Sequence, residues 1–118
     1  MTSFQDIIKM LKVYKDHANN RVISLDEILV FMEVWENYQK GDDYICQADL
    51  AKKIGVEKSC VNRHLHSIGD VTRSPKKKAL NAIKIWMDPN DMRRRCVTIT
   101  AKGTKLAQSM LSNIKEKI

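Results

Sequence analysis

The sequence predicts a mainly α-helical domain carrying one small β-hairpin, arranged as a helix-turn-helix, then the hairpin, with a helix at each end. Three observations support this. Apolar residues recur at helical spacing near both ends of the chain. Two short helical patterns meet at Gly55 within residues 47–68. Two alternating segments flank the turn-forming run Asp88-Pro89-Asn90-Asp91.

Phe4, Ile7, Ile8, Leu11 and Tyr14 fall on one face of a first helix over residues 3–16, which Asn19-Asn20 ends. Ser24 followed by Glu27 is a capping box for a second helix over residues 24–39. That helix is apolar on more than one face (Leu25, Ile28, Leu29, Met32 and Trp35, then Val30, Phe31 and Val34), which places it in the middle of the core. Gly41-Asp42-Asp43 stops it, and residues 44–46 suit a short strand. Helices over 47–54 and 58–68 follow. Gly69-Asp70 ends the second of these, and residues 72–80, with Pro75 and three consecutive lysines, read as an exposed loop. Ile83, Ile85 and Met87 alternate with Lys84 and Trp86 in a half-buried strand over residues 82–87. Residues 95–100 return from the turn. A last helix is expected from Lys102 to the end, with Leu106, Met110, Ile114 and Ile118 in a stripe.

At 118 residues, with 43% hydrophobic and 30% charged residues, the chain is expected to form one domain over residues 1–118. No apolar run approaches the ~18 residues of a membrane span. The opening residues lack a basic segment followed by an apolar one, so no secretion signal is expected. Cys46, Cys60 and Cys96 are odd in number and lack C-x-x-C spacing, which suits reduced thiols and a cytoplasmic location.

Charge is the strongest functional clue. Between Lys58 and Lys105 there are 12 Lys and Arg against three acids, a local net of +9 in a chain of net +7. Surplus positive charge confined to one segment is expected of a surface that meets phosphates. Leu50, Ile54, Val56, Val61, Leu65 and Ile68 sit where two crossing helices must pack, and Gly55 permits the sharp turn between them. The second helix then presents Lys58, Ser59, Cys60, Asn62, Arg63 and His66 outward, for entry into the major groove of double-stranded DNA. Ser59, Asn62 and Arg63 are the expected readers of base edges. The competing reading is a helical pair from a protein-binding adaptor with an ordinary solvated face. The downstream basic balance favours nucleic acid.

Asp88, Pro89, Asp91, Arg93, Thr100 and Gly103, with Ile99 in place of the usual Leu, resemble the wing signature of the MarR family of winged-helix transcription regulators. That signature runs D-P-x-D-x-R, five variable residues, then L-T-x-x-G. The resemblance extends from about Leu25 to the end. It implies a winged helix-turn-helix whose N- and C-terminal helices form a homodimer, here through Phe4, Ile7, Ile8, Leu11, Leu106, Met110 and Ile114. It also implies a wing arginine, Arg93, in the minor groove, with Asp91 fixing the tip and Arg94 and Arg95 adding local charge. A cation on a narrow hairpin suits the minor groove on physical grounds too, because the potential there is most negative. The long loop of residues 69–81 departs from the common pattern and resembles phage-type members. Its Lys76, Lys77 and Lys78 are read as further DNA contacts, with a solubilising loop as the equal alternative.

The resemblance leaves room for a small-molecule effector, but the residues indicate none. Cys60, His64 and His66 supply too few ligands for a structural metal site. Thiol sensing at Cys60 or Cys96 is set aside because the sequence shows no resolving partner. No catalytic motif or cofactor site is found, so the protein is not expected to be an enzyme. The leading expectation is a sequence-specific DNA-binding regulator, most simply a repressor. A mobile-element replication or DNA-organising protein is the nearest alternative.

Overall fold

Serines open the first two helices of the computed structural model, which describes residues 3–18, 23–69 and 81–114, with the backbone alone at 92 and 93. Helix α1 (Phe4–His17) begins with a reciprocal box: Ser3 Oγ accepts from the Asp6 N–H (3.3 Å), and Asp6 Oδ2 accepts from the Ser3 N–H (3.5 Å). At α2 (Leu25–Gln39), Ser24 Oγ accepts from the Glu27 N–H at 3.2 Å. The Glu27 side chain is buried and reaches α1, where Oε2 accepts from the Tyr14 hydroxyl at 2.8 Å. As expected, α2 is central: Val30, Phe31, Val34 and Trp35 are all buried.

Strand β1 (Ile45–Cys46) leads directly into α3 (Gln47–Ile54), and α4 (Lys58–Ile68) follows after a three-residue turn. Leu50, Val61, Leu65 and Ile68 are fully enclosed where α3 and α4 cross beneath α2. Strands β2 (Ile83–Asp88) and β3 (Asp91–Ile99) form the hairpin, and β1 adds to its other edge, giving the antiparallel order β1-β3-β2. Ile45, Val97 and Ile85 thus stand side by side across the sheet. The lysine-rich loop at 72–80 lies outside the described residues.

Two boundaries differ from expectation. β3 begins at Asp91, four residues before the expected start, because Asp91 pairs with Asp88 beyond a register shift, after which the regular ladder runs on from Arg95 opposite Met87. Helix α5 (Ala101–Leu111) stops well short of the chain end. Its last turn is closed by Ser112 Oγ and Asn113 Nδ2, both donating to the Ser109 carbonyl (2.7 and 3.0 Å), the kind of local bonding that competes with helix continuation. Ile114 therefore lies beyond α5 and is half-buried, and residues 115–118 lie outside the described residues.

The start of α5 is fixed by a close backbone approach. Thr100 Oγ1 accepts from the Gly103 N–H (3.0 Å) as N-cap and donates to the Asn81 carbonyl (2.6 Å). A Cβ on Gly103 would lie 1.9 Å from the Ala82 carbonyl oxygen, so only glycine fits. This is the physical content of the Thr-x-x-Gly pattern at 100–103.

Helix α1 packs along α5, and Leu106 and Met110 of α5 are buried within the single chain. The expected dimer set therefore divides. Leu106 and Met110 belong to the protomer's own core, because α1 and α2 already cover them. Phe4 (83% exposed), Ile8 (40%) and Leu111 (48%) remain uncovered, and Ile7 and Leu11 are half-buried. Leu111 was not anticipated, since its exposure depends on where α5 ends.

Candidate nucleic-acid interface

Gly55 makes the helix-turn-helix. It closes α3 at φ 85°, ψ 32°, a left-handed conformation that L side chains adopt only at a cost, and its N–H reaches the Ala51 carbonyl at 2.9 Å. Gln47, buried at the start of α3, donates from Nε2 to the Lys58 carbonyl (3.0 Å) and so ties the first turns of both helices together. With Val61, Leu65 and Ile68 facing the core, α4 presents its other side outward. Lys58, Ser59 and Arg63 are exposed on it, while Cys60, Asn62 and His66 are half-buried. Arg63 Nη2 donates to Cys60 Sγ at 3.5 Å, which lays the guanidinium back along the helix. His64 is half-buried, as a packing residue would be.

The hairpin turn is held by Asp88, whose Oδ1 accepts from the Asn90 N–H at 2.8 Å, with Pro89 between them fixing the backbone. Asp91, the expected partner of Arg93, sits exposed at the first position of β3, in register with Asp88. The Arg93 side chain lies outside the described residues, as do Lys76, Lys77 and Lys78.

The two arginines that follow Arg93 are not simple surface charge. Arg95 Nη1 donates to Asn62 Oδ1, joining the wing strand to the outer flank of α4. Arg94 Nε donates to Cys46 Sγ at 2.7 Å, and this contact raises the guanidinium pKa above its ordinary value. Between α3, α4 and β3 lies an open cleft of about 430 Å³, lined by Lys58, Arg94 and Arg95 together with Asp49 and Asp91. The sequence placed the two basic segments near one another only by resemblance. The Asn62–Arg95 contact brings them onto one surface.

Cys46 stands directly opposite Cys96 in the β1–β3 ladder, and both thiols are reduced and buried. Cys96 therefore has a neighbouring thiol, contrary to expectation, because a pairing 50 residues apart is invisible in spacing. Burial pushes the Cys96 thiol up, with Cys46 adding to the rise. On the far side of the core, an apolar cavity of about 280 Å³ lies between α1, α2 and α5, with Phe31, Met32, Trp35 and Met110 in its wall and Glu36 among its lining residues. No helix among the described residues is long and apolar enough to cross a membrane.

A helix-turn-helix whose second helix is bonded to a β-hairpin, with α1 and α5 packed together behind it, is a winged-helix architecture. More narrowly, the chain has the fold of the MarR-type winged-helix proteins. It is similar over 93% of its length to S. aureus MepR in a complex with DNA (TM-score 0.64, 20% identity, 80% of that chain covered). Transcriptional regulator Tm0710 from Thermotoga maritima is similar over 93% of this chain (TM-score 0.62, 21% identity), which spans only 65% of Tm0710. Wild-type E. coli MarR in its apo form matches 96% of this chain and 73% of its own (TM-score 0.56, 14% identity). No family model matches the sequence, and no curated protein is significantly similar to it.

Proposed function

We propose that this protein is a sequence-specific double-stranded DNA-binding transcriptional regulator, acting as a repressor and as a homodimer. In this reading α4 enters the major groove, led by its N-terminal residues Lys58, Ser59, Asn62 and Arg63. The hairpin carries Arg93 into the adjacent minor groove. The observation that supports it most is the contact between Asn62 of α4 and Arg95 of β3, which sets recognition helix and hairpin side by side on one cationic face. S. aureus MepR, similar in fold, is bound to DNA in its own structure, and Tm0710 is named a transcriptional regulator. Pairing through the exposed residues of α1 and Leu111 would give two-fold symmetry, and hence a pseudo-palindromic site with half-sites about one helical turn apart.

Fluorescence titration against random duplex at two salt concentrations tests the reading. A DNA binder loses affinity steeply as salt rises, because bound phosphates release counterions. Flat salt dependence, or no binding, would leave a protein-binding adaptor instead. Footprinting then separates a regulator from a DNA-organising protein, by a short palindromic footprint rather than a spread, sequence-tolerant one.

A further inference from the structure

We infer that Arg95 acts on DNA recognition through Asn62: it holds the Asn62 amide so that this side chain presents only its donor, selecting a guanine edge over an adenine. The inference rests on the DNA-binding reading above and adds the chemistry of one contact. An arginine carries five N–H donors and no acceptor, so whatever amide orientation Asn62 would otherwise adopt, the atom facing Arg95 Nη1 is Oδ1. Nδ2, a donor, is then the amide's remaining polar end. Asn62 is half-buried next to the exposed Arg63 in α4, and on the DNA-binding reading Nδ2 would be the end of the amide that meets a base edge.

A free asparagine reads adenine with both ends of its amide, donating to N7 and accepting from the N6 amino group. Here the accepting end is engaged by a cation. A second donor, such as the adenine amino group, would approach the same oxygen against the field of the guanidinium. Guanine offers only acceptors on its major-groove edge, N7 and O6, and that edge is attracted by the same positive charge. Arg95 is half-buried and opposite Met87 in the ladder, so its contact with α4 is set by the fold before DNA arrives. Arg95 is thus a positioning residue, and it does not spend its charge on a phosphate.

Selection of bound duplexes from a random pool, run on the parent, Arg95→Ala, Asn62→Ala and the double variant, tests this. The parent should prefer guanine at one position in each half-site, and Asn62→Ala should lose that preference by about tenfold or more. Arg95→Ala frees Oδ1 and should shift the same position toward adenine, while the double variant matches Asn62→Ala. Arg95→Lys, which keeps a donor at Oδ1, should restore guanine and keeps the test decisive if Arg95→Ala misfolds. The salt dependence of random-duplex binding should not change on losing Arg95. A slope lower by about 0.9 with unaltered base choice would make Arg95 a phosphate contact and overturn the inference. So would an Asn62→Ala variant with the parent's preferences. A parent that binds no duplex at any salt would instead refute the DNA-binding reading itself.

Discussion

The Tyr14 hydroxyl donates to Glu27 Oε2 across 2.8 Å inside the seam between α1 and α2, with both residues buried. A carboxylate in that position needs donors, since an unmet polar group in the interior costs more than a hydrogen bond gains. Tyr14→Phe keeps the ring against Phe31, 5.5 Å away between centroids, and removes only the donor. Urea denaturation should show a loss of about 1–3 kcal/mol. An unchanged midpoint would mean the bond contributes nothing to holding α1 in place.

Gly103→Ala should be more damaging than an ordinary helical Gly→Ala change, which usually stabilises. Here the added methyl meets the Ala82 backbone, so α5 must shift from β2. A destabilisation of about 1–3 kcal/mol is expected, read as a lowered Tm. A rise in Tm would show that the approach of α5 to β2 relaxes freely.

Phe4, Ile8 and Leu111 are the apolar side chains that the terminal helices leave uncovered. Ile8→Lys, alone or with Phe4→Lys, should weaken self-association by about tenfold or more in sedimentation while the fold persists. Leu106→Lys should instead unfold the protomer, because it places a charge in the core. Intact dimers of the Ile8 variant would move the interface elsewhere.

Arg93→Ala should weaken binding to a selected site by about 1–3 kcal/mol in gel-shift assays without altering Tm. Equal affinity would remove the wing tip from recognition.

The raised pKa of the Cys96 thiol has a defined sign. The folded state holds this proton more tightly than the unfolded state, so its stability falls as pH rises through and beyond the ordinary thiol range. Urea midpoints measured upward from about pH 8.5 should decline more steeply for the parent than for Cys96→Ala. Parallel curves would show that the thiol is not linked to folding. Half-buried Cys60 should also react with iodoacetamide before Cys96.

Much of the architecture was legible because it is local. The 47–54 and 58–68 helices follow from apolar spacing and one glycine, and α2 is central because apolar residues surround it. The wing turn was legible from Asp88 and Pro89. The start of β3 and the end of α5 were not, since the first depends on an Asp88–Asp91 pairing beyond a register shift and the second is stopped by side-chain bonds to Ser109. The spacing identified which α4 positions avoid the core, whereas Arg95 was read only as added local charge and its contact with a residue 33 positions earlier was not legible.

The amino-acid order alone thus determined the element types, the basic segment and the outward face of α4, because each depends on spacing within a few turns of chain. Only the tertiary structure decided that Leu106 and Met110 are spent on the protomer's own core, that Cys46 faces Cys96, and that Arg95 reaches Asn62. Those outcomes depend on which distant surfaces meet, and no local periodicity encodes how a helix and a strand will come together.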